Sequence, residues 1–296
     1  MGKDLSEAIF LGSNTSTEFC HVPHLNVPVF KGRVYDGVAP HMAEIFLVDN
    51  LQESVDVAEE LRRSKVDILI NYLPVGSKEA TEYYANECIK AKVAFINAIP
   101  EFICSQEQWE KRFIEAGLPC AGDDIKSQVG ATIINRVLAE LIYERGCEIE
   151  NVYQLNIGGN TDFMNMLEES RLHSKRISKT QSVLSVIKSK GEMPKVKIGP
   201  SEHVPHLHDS KICYLNINGK QFAGLPFEIE LKLKVEDSPN SAGVMMDVIR
   251  LLMIAKDNNL KGNIPQINAF AFKSPSIQYS DSLANSMIDD FIKMYA

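Results

Sequence analysis

No stretch of this sequence stays apolar over the length that a membrane-spanning helix requires, which is about 20 residues. The first seven residues carry no apolar signal core, so we expect a cytoplasmic protein that does not bind a membrane. Acidic residues (39) outnumber Lys and Arg (31), giving a net charge of -8, and the basic residues form no stripe. This balance argues against a nucleic-acid partner.

Cysteine pairs and a dinucleotide fingerprint are also missing. The six cysteines form no C-x-x-C pair and have no histidine at ligand spacing, so we expect reduced thiols, several of them buried, and no zinc site. The fingerprint G-x-G-x-x-G is absent, because no third glycine opens a helix after Gly158-Gly159-Asn160. Taken alone, these patterns do not predict a nucleotide-binding protein.

The first half of the chain contains a regular alternation of predicted strands and helices. Apolar runs predict strands at 43–50, 66–72, 93–97 and 119–122. Helical spacing of apolar residues predicts helices at 54–63, from the capping residue Ser77 to residue 91, at 106–116 and at 127–145. This order indicates right-handed βαβ units on a parallel sheet.

The middle of the chain changes character. Alternating residues predict strands at 153–157, 211–218 and 227–236, the last two joined at Asn218-Gly219 as antiparallel neighbours, and helical spacing returns from Gly243. A length of 296 residues favours two domains. From the order of strands and helices we predict an α/β fold. A doubly wound (Rossmann-like) parallel sheet occupies 1–133 and 241–296, and an antiparallel α+β domain is inserted at 134–240. Strict alternation at 228–236 leaves one face of that strand to solvent or to a partner.

Polar loops follow the predicted parallel strands at 71–77, 97–100 and 122–127. Ligands of doubly wound sheets bind outside the carboxyl ends of the strands, so these loops are candidates for a site. The last loop leads into Ser127–Thr132, where the free N–H groups of a helix start attract anions. Taken in isolation, Ser127 is more often a plain N-cap.

Several other motifs allow two interpretations each. Asp123-Asp124 is either an acid/base or metal-facing pair or two solvated loop carboxylates. Lys175 and Lys179 share one helical face, which is more often a solvated stripe than a site. The histidines at 203, 206 and 208 favour an ordinary polar loop over a metal cluster, and 236–241 is compatible with a simple turn.

Taken together, these motifs carry a family resemblance. The chain contains, in order, NYLPVGSKEA (71–80), FINAIP (95–100), GDDIKSQVGAT (122–132), QLNIGGNTDFMNM (154–166), SKRISKTQ (174–181), EDSPNSAGV (236–244) and AFKSP (271–275). From about residue 3 to residue 279 it resembles the myo-inositol-1-phosphate synthases of the shorter prokaryotic type.

The resemblance implies an NAD-dependent intramolecular cyclisation of D-glucose 6-phosphate to 1L-myo-inositol 1-phosphate, in inositol and phospholipid biosynthesis. The steps are oxidation at carbon 5, enolisation at carbon 6, aldol closure onto carbon 1 and reduction. Ammonium groups stabilise the developing alkoxides and enolates, and a lysine crowded by other lysines has a lowered pKa that suits proton transfer. The resemblance also implies a homotetramer built by the middle sheet.

The resemblance assigns roles residue by residue. The catalytic set is Lys175, Lys179, Lys211, Lys273, Asp124 and Asp162. The cofactor-binding set is Asn71, Tyr72, Leu73, Pro74, Asn97, Ala98, Asp124, Asp237 and Ser238. The substrate-binding set is Ser127, Gln128, Gly130, Thr132, Asn160, Asp162, Lys179 and Lys211. A divalent or monovalent cation is a further expected cofactor, with Asp124 as its contact, although the sequence assigns no metal-ligand set.

The N-terminus of this sequence departs from the family pattern. Family members begin with a strand, a glycine-rich turn over the pyrophosphate and a second strand, whereas residues 1–10 resemble the helix that follows those elements. We therefore expect the N-terminal part of the nucleotide fold to be missing. Two alternatives to the cyclase stay open: a non-catalytic relative or fragment that oligomerises and binds sugar phosphate, and a sugar-phosphate dehydrogenase that releases NADH.

Overall fold

The computed structural model describes residues 2–11, 18, 20–168, 173–187 and 193–296, without the side chains of 173–176, 200 and 201. The helices are α1 (Leu5–Ala8), α2 (Val57–Arg63), α3 (Lys78–Ala91), α4 (Glu107–Ala116), α5 (Ala131–Glu144), α6 (Thr161–Asn165), α7 (His173–Leu184), α8 (Asp237–Asp257), α9 (Pro265–Ala271) and α10 (Asp281–Tyr295). The strands are β1 (Ile68–Asn71), β2 (Ala94–Asn97), β3 (Pro119–Gly122), β4 (Glu148–Gly158), β5 (Lys195–His203), β6 (Ser210–Lys220), β7 (Pro226–Glu236) and β8 (Gly262–Asn263).

The first sheet is parallel and has helices on both faces. Its strand order is β1-β2-β3-β8, with every neighbouring pair parallel. Successive residues of a strand point to opposite faces, and β2 shows this directly. Phe95 packs with Phe113 of α4 in one buried cluster, whereas Ile96 packs with Leu252 of α8 in another. The predicted doubly wound α/β class is therefore confirmed.

The second sheet is mixed rather than purely antiparallel, which corrects the prediction for the middle of the chain. Its order is β5-β4-β6-β7; β6 is antiparallel to both neighbours, but β5 is parallel to β4. The chain between β4 and β5 includes the helices α6 and α7. A crossover of that length allows parallel pairing, which a short hairpin does not.

The predicted hairpin turn at Asn218-Gly219 is also wrong. Strand β6 continues to Lys220, and the turn lies at 221–225. Gly219 stays paired with Phe227 in the ladder, and a β-carbon at Gly219 would approach the Phe227 ring and the Glu148 carbonyl too closely. The glycine therefore serves close packing inside the sheet.

Three predictions for the first half and for α8 need correction. Residues 43–50 form turns and irregular chain instead of a strand, and Leu47 is 84% exposed, so no neighbouring strand buries this segment. Helix α5 begins after Gly130 rather than at Ser127, and α8 begins at Asp237 rather than near Gly243. The first residues of α8 (237–242) are polar or small, so apolar periodicity does not mark its start.

The N-terminus of α3 is capped from outside the helix. Ser77 occupies the N-cap position, but its side chain makes no capping hydrogen bond. Instead the carboxylate of Asp36 accepts from the backbone N–H groups of Glu79 (3.0 Å) and Ala80 (2.9 Å). The predicted capping role of Ser77 is thus taken by a residue more than 40 positions earlier, and this contact ties the N-terminal segment to the first sheet.

Both predicted domain boundaries fall inside helices. Residues 133 and 134 lie in α5, and residues 240 and 241 lie in α8. The division into a cofactor domain and an inserted domain stays a prediction. Four of the cysteines are buried, as expected, whereas Cys20 is exposed and Cys147 is half-buried. None of the helices in the described ranges is long and apolar enough to cross a membrane.

Candidate functional site

Three of the four predicted lysines meet at one place. Lys179 comes from α7, Lys211 from β6 and Lys273 from the segment after α9. All three line a cavity of 920 Å³ and also a smaller adjoining cavity of 40 Å³. Ser127 and Asp237 line both cavities as well. The lysines therefore lie on the wall that the two cavities share.

The side chain of Lys175 lies outside the described part of the structure. Its backbone belongs to α7, one helical turn before Lys179. Its predicted role in proton transfer stays a prediction.

The larger cavity opens at the carboxyl ends of β1, β2 and β3, where a doubly wound sheet places its ligand. The predicted cofactor and catalytic residues that line it are Tyr72, Leu73, Pro74, Ala98, Asp124, Asp162, Asp237 and Ser238. Asn160, predicted to bind substrate, lines the same cavity. Residues that motif reasoning missed also contribute apolar surface here, among them Val75 and Ile99.

Asn71 and Asn97, predicted to bind the cofactor, form a buried network behind the strand-end loops. The amide of Asn71 donates to Asn97 Oδ1 (2.9 Å), and that of Asn97 donates to Asp123 Oδ1 (2.7 Å). Asp123 also accepts from the hydroxyl of Ser105 (2.8 Å) and from three backbone N–H groups. Burial raises the pKa of Asp123 to about 6, although the hydrogen bonds from Asn97 and Ser105 oppose the rise.

Asp123 and Asp124 are neighbours with different environments, so neither is a solvated loop carboxylate. Asp124 is 3% exposed and faces the cavity, with a backbone φ of 62°. It forms an ion pair with Lys273, Nζ to Oδ1, of 2.7 Å, and Oδ2 accepts from the Ser178 hydroxyl at 2.6 Å. Ser274 in turn donates to Ser178 (2.8 Å). This chain of contacts joins α7, the loop after β3 and the segment after α9.

Lys211 belongs to a second charged group on the wall that the two cavities share. Its ammonium lies 3.0 Å from Asp237 Oδ1, and Asn160 donates to Asp237 Oδ2 (3.3 Å). Burial by itself would lower the pKa of Lys211, but Asp237, Asp162 and Asp124 outweigh this effect and hold the pKa above its usual value. This rise is opposite to the effect of crowding by other lysines, because carboxylates surround Lys211.

Asp209 supports this second group and was not predicted from the sequence. It is 1% exposed and accepts from the amide of Asn160 (3.1 Å) and from the hydroxyl of Ser238 (2.8 Å). The sequence feature that could have indicated Asp209 is its position two residues before Lys211, in a loop rich in His and Asp. A β-carbon at Gly159 would lie 2.5 Å from the backbone nitrogen of His208, so only glycine lets this loop approach Asn160 closely.

The smaller cavity lies at the start of α5. Gly130, Thr132 and the predicted Ser127 line it, together with Gln154 and Asn156 of β4. Gln128 lies beside this cavity: its backbone N–H donates to the carbonyl of Asn240 (3.0 Å). N–H groups in the first turn of a helix attract anions, and the three site lysines add positive charge on the same wall.

A buried cluster of charged residues lies next to the smaller cavity and was not predicted from the sequence. Arg136 of α5 is 1% exposed; its Nε lies 2.7 Å from Asp281 Oδ2, and Lys126 Nζ lies 2.9 Å from Asp281 Oδ1. Burial lowers the pKa of Lys126, whereas for Asp281 the two cations outweigh burial and lower the pKa.

Arg136 also contacts the elements that carry the lysines. It donates to the carbonyl oxygens of Ser182 in α7 (2.6 Å) and of Tyr279 (2.6 Å), and to Gln278 Oε1 (3.3 Å). Gln278 itself donates to the carbonyl of Lys273 (2.8 Å). The Arg136 cluster thus connects α5, α7 and the Lys273 segment.

Within the described ranges, no group of three or more His, Cys, Asp or Glu side chains is arranged to hold a metal ion. His203 contacts the carbonyl of Gly159 (3.2 Å), so it takes part in the packing of its loop. Asp124, the predicted cation contact, has one oxygen at Lys273 and the other at Ser178.

Comparison with known proteins identifies relatives of this chain. The family model described as myo-inositol-1-phosphate synthase matches residues 130–238. The inositol-3-phosphate synthase of Mycobacterium tuberculosis (strain CDC 1551 / Oshkosh) is 47% identical over 292 residues, which cover 99% of this chain and 79% of the relative. That of Corynebacterium glutamicum is 44% identical over 297 residues, which cover 99% of this chain and 82% of the relative.

A solved structure gives the same answer for the fold. The crystal structure of a myo-inositol-1-phosphate synthase-related protein from Thermotoga maritima superposes with a TM-score of 0.69 at 25% identity. The match covers 80% of this chain and 69% of that one. Sequence identity of this extent over almost the whole chain confirms the resemblance read from the motifs, and the chain belongs to the myo-inositol-1-phosphate synthase family.

Proposed function

We propose that this protein is an inositol-3-phosphate synthase, which cyclises D-glucose 6-phosphate to 1L-myo-inositol 1-phosphate with NAD as a redox cofactor that is not consumed. The observation that carries the proposal is the convergence of Lys179, Lys211 and Lys273 between a large cavity and a helix start. Relatives named inositol-3-phosphate synthase, 44% and 47% identical over almost the whole chain, support it.

The phosphate of the substrate is proposed to bind at the start of α5. Ser127, Gly130 and Thr132 line the small cavity there, and Lys179 and Lys211 lie on its wall. Backbone N–H groups and ammonium groups are the usual ligands of a phosphate. Gln128, which lies beside this cavity, is proposed to contact the phosphate as well. Asn160 and Asp162 line the adjoining cavity and are proposed to bind the hydroxyl groups of the sugar.

The residues at the larger cavity fit an NAD molecule. A volume of 920 Å³ is sufficient for a large organic ligand, and Tyr72, Leu73 and Pro74 provide apolar surface at the sheet edge where doubly wound folds bind dinucleotides. Asp124, Asp237 and Ser238 provide polar groups. Bound NAD would supply the hydride acceptor and donor for the oxidation and reduction steps.

The ammonium groups of the protein are proposed to act on the oxygen atoms of the substrate. The raised pKa of Lys211 keeps it charged near neutral pH, so it stabilises a developing alkoxide or enolate rather than removing a proton. Lys273 is oriented by its ion pair with Asp124, which Ser178 holds in turn. Lys273 and Lys175 are proposed to handle proton transfer and oxyanion stabilisation during enolisation and ring closure.

A divalent or monovalent cation, with Asp124 as its contact, stays a prediction. In the described residues the two oxygens of Asp124 contact Lys273 and Ser178. The substrate and the cofactor are intracellular metabolites, and we propose a cytoplasmic location for that reason.

We propose that the second sheet builds a homotetramer. One face of this sheet packs against α5 through Ile142, Val152 and Leu215, and against α7 through Val183 and Ile198. The other face leaves large side chains exposed, namely Tyr153, Leu155 and Tyr214. An exposed apolar sheet face of this kind is suited to contact with further copies of the chain.

The test is product formation from D-glucose 6-phosphate and NAD by the purified chain, followed by 31P NMR, with absorbance at the NADH maximum recorded in parallel. The cyclase predicts inositol 1-phosphate without net NADH. Accumulation of NADH in proportion to consumed substrate would instead identify a sugar-phosphate dehydrogenase. Binding of glucose 6-phosphate without any turnover would identify a non-catalytic relative.

A further inference from the structure

The carboxylate of Asp124 is contacted on both of its oxygens at the wall of the larger cavity. Its Oδ1 lies 2.7 Å from Lys273 Nζ, and its Oδ2 accepts from the hydroxyl of Ser178 at 2.6 Å. Asp124 and Lys273 line the cavity, whereas Ser178 is 0% exposed and lines neither of the two cavities. Ser178 therefore contacts the ion pair of the site from outside the space that a ligand occupies.

The hydrogen bonds around Ser178 run in one direction. The ion pair with Lys273 identifies Asp124 as ionised, and an ionised carboxylate only accepts hydrogen bonds. A serine hydroxyl has a single hydrogen to donate, so that of Ser178 points to Asp124. The buried hydroxyl of Ser274 then donates to Ser178, at 2.8 Å. The two serines thus form a chain of donors that ends on the carboxylate of Asp124.

Backbone hydrogen bonds hold the main chain of the ion pair but leave its side chains to be oriented. The N–H of Lys273 donates to the carbonyl of Asp124 (2.8 Å), and that of Ser274 donates to the carbonyl of Asp123 (3.1 Å). Lysine carries its ammonium on a flexible four-carbon stem, so a fixed main chain does not locate the ammonium of Lys273. Pairing with an oriented carboxylate restricts it, and the contact with Ser178 fixes the rotation of that carboxylate.

The position of Ser178 in the chain gives this contact a second consequence. Ser178 belongs to α7 and directly precedes Lys179, which lies on the wall that the two cavities share. Its hydrogen bond to Asp124 joins α7 to the loop after β3. The same contact therefore relates the place of Lys179, proposed to bind the phosphate, to the place of Lys273, proposed to handle proton transfer.

We propose that Ser178 is a positioning residue for the cyclisation: its hydroxyl orients the carboxylate of Asp124, which in turn holds the ammonium of Lys273 towards the substrate. The inference rests on the proposed function and adds a residue that touches neither substrate nor cofactor. Ser274 aligns the hydroxyl of Ser178. A misplacement of about 1 Å in a catalytic group is enough to cost about 10²-fold in rate, so a buried contact outside both cavities affects kcat.

Ser178→Ala removes the hydroxyl without adding volume. We expect kcat to fall by about 10- to 100-fold, the effect of losing one hydrogen bond to a charged group. The KM for glucose 6-phosphate is expected to stay within about threefold of the wild-type value, because Ser178 lines neither cavity. Ser274→Ala is expected to cause a smaller loss, since Ser178 keeps its own hydrogen bond to Asp124. The measurement is inositol 1-phosphate formed at saturating NAD over a series of glucose 6-phosphate concentrations.

Ser182→Ala is the matched control. Ser182 lies one turn further along α7 and is also 0% exposed, and its hydroxyl has no hydrogen-bond partner among the described residues. We expect its kcat to stay within about twofold of the wild type, because no contact to the ion pair is lost. Equal losses in Ser178→Ala and Ser182→Ala would overturn the proposal, since a small cavity in α7 would then explain both.

A pair of branched substitutions separates the hydroxyl from packing. Ser178→Thr keeps the hydroxyl, whereas Ser178→Val has nearly the same shape without it. The threonine variant is expected to retain a kcat about tenfold or more above that of the valine variant. Urea unfolding verifies that both are folded under the assay conditions. If the two variants have the same kcat, the hydroxyl does not position the ion pair.

A double-mutant cycle tests whether Ser178 acts through Lys273. In a Lys273→Met background the ammonium that Ser178 positions is gone, so adding Ser178→Ala is expected to change kcat by less than about threefold. A further loss as large as that of Ser178→Ala alone would mean that Ser178 acts on another part of the site, which contradicts the proposal.

Crystal structures of the wild type, Ser178→Ala and Ser182→Ala give a readout that does not depend on catalysis. In Ser178→Ala the Nζ of Lys273 is expected to move by about 1 Å or more from its place 2.7 Å from Asp124 Oδ1, and in Ser182→Ala it is expected to stay. An unmoved ammonium in Ser178→Ala, with an active wild type, sinks the positioning role alone. A displaced ammonium, with a wild type that forms no inositol 1-phosphate, sinks the proposed reaction alone.

Discussion

Lys273 forms a short ion pair at the candidate site. Its ammonium lies 2.7 Å from Asp124, and both residues are largely buried. Lys273→Met removes this charge from the wall shared by the two cavities. By analogy with the loss of one oxyanion donor, we expect kcat to fall by about 10² to 10³, measured as inositol 1-phosphate formed from saturating glucose 6-phosphate.

Lys256→Met is the matched control for that measurement. Lys256 also pairs with an aspartate, Asp67, which is mostly exposed, and neither residue lines the cavities. We expect its kcat to stay within about twofold of wild type, because exposed ion pairs contribute little. Equal losses in both variants would mean that Lys273 stabilises the fold and does not act on the substrate.

Asp123 gives a prediction for stability as a function of pH. Burial raises its pKa to about 6 from the usual aspartate value of 3.8, so between these values the folded protein binds the proton that the unfolded chain has released. Stability from this group is therefore largest at low pH and falls as pH rises from about 4 to about 6. A shift of about two pKa units corresponds to about 3 kcal/mol.

The measurement is urea unfolding of the wild type and of Asp123→Asn from pH 4 to pH 7. The difference between their unfolding free energies cancels the titration of the other groups, and we expect it to move against the wild type by about 3 kcal/mol over this range. Asp281→Asn is the control with the opposite sign, because the pKa of Asp281 is lowered and its contribution is lost only as pH falls below its usual pKa. A flat difference for Asp123→Asn would show that its hydrogen bonds fully compensate burial.

At the scale of elements, the Arg136 cluster sets how α5, α7 and the Lys273 segment lie against each other. Arg136→Met removes the hydrogen bonds to Ser182 and Tyr279 and leaves Asp281 with Lys126 alone. Removing one partner of a buried ion pair costs about 3–5 kcal/mol, so we expect a loss of that size in unfolding free energy, measured by urea titration.

Arg62→Met on α2 is the control, because Arg62 is exposed and such substitutions usually change stability by less than about 0.5 kcal/mol. Arg136→Lys keeps the charge but not the planar fork, and it is expected to recover only part of the loss. Full stability of Arg136→Met would show that the cluster is not what holds these elements together.

Helices and strands were predictable from the sequence where their burial produces a pattern of apolar residues. Strand β3 was predicted with its observed bounds, and β1, β2 and α4 within two residues, because fully buried strands and amphipathic helices both show in the apolar residues. The starts of α5 and α8 were not: α5 begins later than predicted, after Gly130, and α8 begins at Asp237 with polar and small residues that show no apolar periodicity. The parallel pairing of β5 depends on the crossover through α6 and α7, which local pattern does not reveal.

At the scale of the whole molecule, the sequence predicted many of the residues that line the two cavities, but not their contacts. Motif resemblance named Lys179, Lys211 and Lys273, which the fold brings together from three distant segments. It did not indicate that Asp237, Asp162 and Asp124 surround Lys211 and raise its pKa, because those residues are far from Lys211 in sequence. Arg136 was missed for the same reason: its partners lie more than 40 residues away.

The shared wall predicts that the two cavities bind their ligands cooperatively. Lys179, Lys211 and Lys273 line both, so a ligand in the larger cavity removes water from around ammonium groups that face the smaller one. Charges attract more strongly when water is excluded. We expect NAD to increase the affinity for glucitol 6-phosphate, which lacks the aldehyde needed for ring closure, by about 5- to 150-fold, the usual range of coupling between sites.

Isothermal titration calorimetry with and without saturating NAD measures this coupling, and the reciprocal titration must give the same factor. Lys211→Met is expected to reduce the factor, because Lys211 belongs to both cavities, whereas Lys256→Met, outside both, is expected to preserve it. If glucitol 6-phosphate binds equally well with and without NAD, the two cavities act independently. The lysines would then serve the smaller cavity alone.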